Sequence, residues 1–231
     1  SEYTREGHFV PVAMPGGDKA VVEIDRMALA YLISAYGSLE NVPSFPFMER
    51  IDRKRAELLE RMIKSRINSP VTSSCGRLFD AVSSLLGMCT RPCYDAQGAV
   101  LLEKAAGAMD GLSEPYPYEI DSEGAVHFQP MIMRIVKDIK KGTDASSISR
   151  KFHSTLVHAA LEMCTRIAHK TGLDTVVLSG GVFQNRIIFK YFVRELAKAG
   201  FEVLAHREVP PNDGGISLGQ AVAALSLLNR K

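Results

Sequence analysis

Thr175-Val176-Val177-Leu178-Ser179-Gly180-Gly181-Val182-Phe183-Gln184-Asn185 decides how the last third of the chain is read. A short apolar, β-branched run meets a glycine pair, and a helical pattern opens directly behind it. The same grammar repeats: a strand over 201–205, the loop Pro210-Pro211-Asn212-Asp213-Gly214-Gly215, and a helix over 215–228. With a strand over 174–178 and a helix over 184–198, the order is β-α-β-α. That order predicts a layered α/β unit whose ligands sit beyond the carboxyl ends of the strands. Both loops lie at that end.

In the first loop, the glycine pair lets a backbone approach a ligand closely and present its N–H groups. The N-terminus of the helix that follows favours an anion. Ser179, Gly180, Gly181, Val182 and Asn185 are therefore candidate ligand-binding residues, with Asn185 suited to a ribose or a base. A tight strand-to-helix turn would also need glycine, for its φ values alone. In the second loop two prolines stiffen the approach to Asp213. The carboxylate can bind a cation or a ligand hydroxyl, or it can cap the helix. A cap accounts for Asp213 but poorly for Gly214-Gly215, because glycine is unfavourable in a first turn. Asn212, Gly214 and Gly215 join the candidates. A third element is Ser73-Ser74-Cys75-Gly76-Arg77-Leu78-Phe79-Asp80. Ser73 or Ser74 suits a helix cap. Arg77 and Asp80 stand i,i+3 and can pair; alternatively Arg77 directs its guanidinium at a phosphate or carboxylate, with Gly76 beside it.

Working outward, residues 1–17 read as an extended lead-in with a strand at His8–Val12, and 19–36 as a helix. Residues 47–66 read as a surface helix with Glu49–Arg53, Glu57–Arg61 and Glu60–Lys64 in the favourable i,i+4 order. Arg50, Arg53, Lys54 and Arg55 on it form either a solvated, ion-paired face or a polyanion-binding one. Residues 71–75 read as a loop, 76–87 and 96–108 as helices, 116–120 with 125–128 as a hairpin, and 130–141 and 145–170 as helices.

The 231 residues are 46% hydrophobic and 23% charged, with a net charge of +2. These are the proportions of a globular protein with a real core. So small a basic excess gives no footprint for nucleic acid or an anionic membrane, and neither is expected as a partner. No apolar run approaches the roughly 20 residues of a membrane span, and no signal peptide opens the chain. A start at Ser1 suggests a segment of a longer protein. The four cysteines do not form a disulfide framework, and Cys89 and Cys93 lack the second pair of a zinc site; a cytoplasmic location is expected. The six histidines show no ligand spacing.

Four motifs in order carry a resemblance over essentially the whole chain: Ser73 to Ala81, Phe152-His153-Ser154-Thr155-Leu156, Leu178 to Arg186, and Pro210 to Ala221. Together with Arg5 to Asp18 they resemble the C-terminal part of HypF, the carbamoyltransferase family of NiFe-hydrogenase maturation. The resemblance implies a Kae1-like α/β fold, a ribonuclease-H-like lobe of the actin-like ATPase superfamily with a largely helical insertion. It implies a lead-in over 1–17 from a first lobe, an insertion over 18–115 and the C-terminal lobe over 116–231. It also implies transfer of a carbamoyl group from carbamoyl-adenylate, made from ATP and releasing AMP, to the C-terminal cysteine thiol of the partner HypE.

Carried onto this chain, the family assigns catalysis to Arg77 and Asp213. It assigns nucleotide binding to Gly76, Ser179, Gly180, Gly181, Val182, Asn185, Asn212, Gly214 and Gly215. Asp213 becomes the ligand of a divalent metal whose paired histidines lie in the first lobe, so this chain alone is expected to bind metal weakly and turn nothing over. The tRNA threonylcarbamoyl transferases share the fold, but their acidic residues matching positions 73 and 77 are Ser73 and Arg77 here, which favours the hydrogenase branch. Tyr94 to Ala99 departs from the family pattern in the place of its glycine.

Overall fold

The computed structural model describes residues 3–228; residues 1–2 and 229–231, which belong to the expected lead-in and C-terminal lobe, lie outside the described residues. Packing divides the chain at Met163/Cys164, whereas boundaries are expected from sequence at 17/18 and 115/116. The hairpin after residue 115 and the helix behind it pack with N-terminal elements, which draws them into the first unit.

In chain order the first unit runs β1 (His8–Phe9), β2 (Val12–Ala13), α1 (Lys19–Val22), α2 (Asp25–Tyr36), α3 (Pro46–Arg50), α4 (Arg53–Lys64), β3 (Val71–Thr72), α5 (Cys75–Leu85), α6 (Gln97–Ala106), β4 (Glu119–Ile120), β5 (Ala125–His127), α7 (Gln129–Lys140) and α8 (Ala145–Thr171), the last crossing the division. β5 is central to a small sheet, parallel to β1 and antiparallel to β4. β2 pairs antiparallel with β3, Val12 opposite Thr72 and Ala13 opposite Val71. Residues 71–72 are thus a strand rather than the expected loop. Two residues show no periodicity, and their partner lies far away in sequence.

α2 is buried without interruption from Met27 to Ile33, because α4, α5 and α7 pack around it. Two helices expected to be continuous are broken. The 19–36 pattern divides at Glu23-Ile24 and the 47–66 pattern at Ile51-Asp52. Asp52 caps α4 by accepting from the Arg55 N–H at 2.7 Å. The second break takes Glu49 out of helical register with Arg53. Glu49 accepts instead from the Ser44 hydroxyl, and Arg53 pairs with Glu57 at 2.9 Å. Glu60–Lys64 forms as expected, at 3.0 Å. Arg55 forks onto Asp25 and Glu23, tying α4 to α2. Arg53, Arg55 and Lys64 of α4 are thus ion-paired, whereas Lys54 and Arg61 pair with no described residue and the expected Glu57–Arg61 pair does not form.

α5 and the start of α8 meet through Phe79 and Phe152, edge to face at 4.9 Å. His153 beside them is fully buried; its Nδ1–H donates to the Ser149 carbonyl at 2.8 Å, and burial lowers its pKa to about 4. It is a neutral core histidine.

The second unit is the β-α-β-α arrangement. β6 (Thr175–Leu178) and β7 (Glu202–Ala205) pair in parallel, joined by α9 (Arg186–Lys198) and followed by α10 (Ile216–Leu228). α9 buries Ile187, Ile188, Tyr191, Phe192 and Leu196, while α10 buries no residue. No described helix is long and apolar enough to cross a membrane.

Candidate active-site loops

The parallel register ends on Leu178 opposite Ala205. The chain therefore leaves both strands at one level, and the two expected loops are brought together. The Gly180 N–H donates to the Pro211 carbonyl at 2.7 Å, and a Cβ on Gly181 would lie 3.9 Å from the Asn212 Cβ. Of the glycine pair, only Gly180 needs glycine for its backbone. Its φ of +110° strains any L side chain, although the space around it is open.

Residues Gly181–Gln184 then make a 3-10 turn in which Phe183 stacks on Phe192, centroids 6.2 Å apart. The N–H groups of Gly181 and Val182, at the start of this turn, bond no described residue. Asn185 is buried, and its side-chain oxygen accepts from the N–H groups of Ile187 at 3.1 Å and Ile188 at 3.0 Å. The side-chain oxygen of Asn185 therefore caps α9.

In the second loop the cap is also displaced from its expected position. Asn212, not Asp213, accepts from the Gly214 N–H, at 3.1 Å. The Asp213 carboxylate is exposed and bonds no described residue. The helix-cap account of Asp213 is thereby removed. Gly214 and Gly215 have an internal reason to be glycine. A Cβ would come within 2.9 Å of the Pro210 Cγ at the first and 2.9 Å of the Pro210 carbonyl oxygen at the second. His206, set aside in sequence with the other histidines, stands in this site, with Nε2 3.2 Å from Ser179 Oγ. Its signal was positional: it directly follows β7 as Ser179 directly follows β6.

Gly76 and Arg77 lie in the first unit, in the first turn of α5. A Cβ at Gly76 would meet only Ser74 Oγ at 3.5 Å, so nothing within the chain requires glycine there. Arg77 Nη1 approaches Asp80 Oδ2 to 2.7 Å, an ion contact without hydrogen-bond alignment. The expected i,i+3 contact of Arg77 with Asp80 is thus formed. Burial raises the Asp80 carboxyl to about 6, against the opposing pull of Arg77. Among the described residues no three His, Cys, Asp or Glu side chains gather to hold a metal ion. One carboxylate does not make a site, so the residues present do not by themselves fit a metal.

Residues 1–220 match the family model for the second subdomain of the carbamoyltransferase Kae1-like domain. The chain is 36% identical over 96% of its length to the carbamoyltransferase HypF2 of Cupriavidus necator, of which it covers 30%. It is 34% identical over 96% of its length to the carbamoyltransferase HypF of Synechocystis, again covering 30%. The crystal structure of full-length HypF in the phosphate- and nucleotide-bound form superposes with a TM-score of 0.88 at 36% identity, over 99% of this chain and 30% of that one. The chain thus spans under a third of these relatives.

Proposed function

The chain belongs to the HypF carbamoyltransferase family and has its Kae1-like fold, and on that premise we propose that it contributes to a site passing a carbamoyl group from carbamoyl-adenylate to a protein thiol. The acceptor in this reading is the C-terminal cysteine of HypE, in cytoplasmic synthesis of hydrogenase cyanide ligands. In the step, sulfur bonds to the carbonyl carbon, the bond from that carbon to the phosphate oxygen breaks, and AMP leaves with the electron pair. The thiol proton passes to solvent. No protein nucleophile is required; positioning and fixed dipoles suffice.

The observation that carries the reading is the meeting of the two loops at one end of β6 and β7. There the N–H groups of Gly181 and Val182, at the start of the 3-10 turn that precedes α9, bond no described residue and are available to a phosphate oxygen. Full-length HypF, of which this chain covers 30%, has been solved in a phosphate- and nucleotide-bound form. Asp213 presents a carboxylate that no cap occupies. A divalent ion there would need further ligands from outside these residues. In the first unit Asp80 holds Arg77 at the start of α5, and Gly76 leaves that turn open to a ligand. For the chain on its own, the second reading is a lobe that binds nucleotide or partner without turnover.

The test is Asp213→Ala in the full-length parent, with thiol carbamoylation, carbamoyl-adenylate formation and thermal unfolding measured on one preparation. Transfer should fall by orders of magnitude while adenylate formation and the melting temperature stay near wild type, since Asn212 keeps the cap. Full transfer by this variant would remove Asp213 from the reaction.

A further inference from the structure

Ser179 and His206 follow the last register pair of the second unit, Leu178 opposite Ala205. Parallel neighbours stand about 4.8 Å apart, so side chains leaving at this level are within reach of each other. His206 Nε2 and Ser179 Oγ lie 3.2 Å apart. The imidazole also walls a hollow of about 180 Å³ floored by Leu178, Phe183, Phe189 and Pro211. Among the described residues nothing else bonds the ring. Both residues are exposed, so the contact is not a demand of core packing. On the same loop stand the unpaired N–H groups of Gly181 and Val182.

A serine hydroxyl has one donor and two acceptor sites, and its proton turns to suit its neighbours. If Nε2 accepted that proton, Ser179 would show only lone pairs to an approaching anion. If Nε2–H donates instead, one lone pair is engaged and the hydroxyl proton is turned outward. An anionic ligand at this loop selects the second arrangement. Resting on the nucleotide reading above, we infer that His206 is a positioning residue: its Nε2–H donates to Ser179 Oγ and so directs the Ser179 hydroxyl to an anionic oxygen of the nucleotide at the Gly180–Gly181 turn. His206 acts through Ser179 and does not itself touch the ligand.

The test is a double-mutant cycle on the chain, with AMP as the probe in titration calorimetry and melting temperature recorded for each variant. His206→Ala and Ser179→Ala should each weaken AMP binding about tenfold, the scale of one hydrogen bond to a charged group. The double variant should be no weaker than the single ones by more than about twofold, because each change removes the same contact. His206→Gln, which keeps an N–H at a similar reach, should recover most of the affinity. Melting temperatures should be unmoved, and ring ¹⁵N shifts of the AMP-bound wild type should show the Nε2–H tautomer. Additive losses, an undiminished affinity in His206→Ala, or an Nδ1–H tautomer would overturn the inference. Failure of the nucleotide reading looks different: the wild type itself would not bind AMP, or Gly181→Val would bind it unchanged, and the inference would fall with it.

Discussion

Asp80 and His153 are buried in one unit, and their ionisations oppose each other. Burial raises the Asp80 carboxyl from 3.8 to about 6, with Arg77 lowering it and Asp95 raising it further. Burial lowers His153 from 6.5 to about 4. Between about pH 4 and 6 the folded chain keeps a proton on Asp80 that the unfolded chain has released, so this group's contribution to stability falls as pH rises. Over the same interval the unfolded chain protonates His153 and the folded chain does not, so that contribution rises with pH. Relative to wild type, Asp80→Asn should therefore gain about 2–3 kcal/mol of unfolding free energy from pH 4 to 6, and His153→Gln should lose a similar amount. Urea unfolding of the three proteins at each pH checks this; parallel profiles would refute it. The same scale separates the loop residues. Asn212 and Asn185 serve as caps, whereas Asp213 has no structural task among the described residues. Neighbouring residues of similar polarity thus have different roles because only one of each set lies where an orphan N–H needs it.

Among the elements, α2 and α4 are joined by one fork, Arg55 onto Asp25 and Glu23. Asp25 is 6% exposed, and removing its cation leaves a carboxylate with little access to water. Arg55→Ala should cost about 2–3 kcal/mol, below the usual range for a buried pair because the arginine is partly exposed. Glu57→Ala, breaking an exposed pair on the same helix, should cost under about 0.5 kcal/mol. Thermal unfolding of both variants tests the contrast, and equal losses would show that the fork is not what joins the helices. Glu23, paired with Arg26, Arg55 and Arg91, and Asp52, which caps α4, stand at the breaks before α2 and α4, and neither kind of contact registers in hydrophobic periodicity.

On the scale of the whole chain, α10 is the anomaly. It has no charged residue and no buried one; Ile216, Leu218, Val222, Leu225, Leu227 and Leu228 are each more than half exposed. A helix that is apolar all round belongs in an interior or an interface. The purified 231-residue chain should therefore bind an apolar dye and self-associate with rising concentration in light scattering. Leu218→Lys with Leu225→Lys should reduce both effects. A wild-type chain that stays monomeric and dye-silent at high concentration would contradict the expectation.

The β-α-β-α order, the position of both loops and the family were legible in the sequence. Strand, turn, helix and strand there follow one another closely, so local preference and hydrophobic period point the same way. The parallel pairing of β6 with β7 then puts residues 179 and 206 at one level, a consequence of order alone. Other features required the tertiary structure. The contact of Arg77 with Asp80 and the caps at Asn185 and Asn212 depended on which polar groups met in the folded chain. The Val71-Thr72 strand exists only through its pairing with Val12-Ala13. At each of these positions local preference leaves several partners open, and only the folded chain shows which one is met.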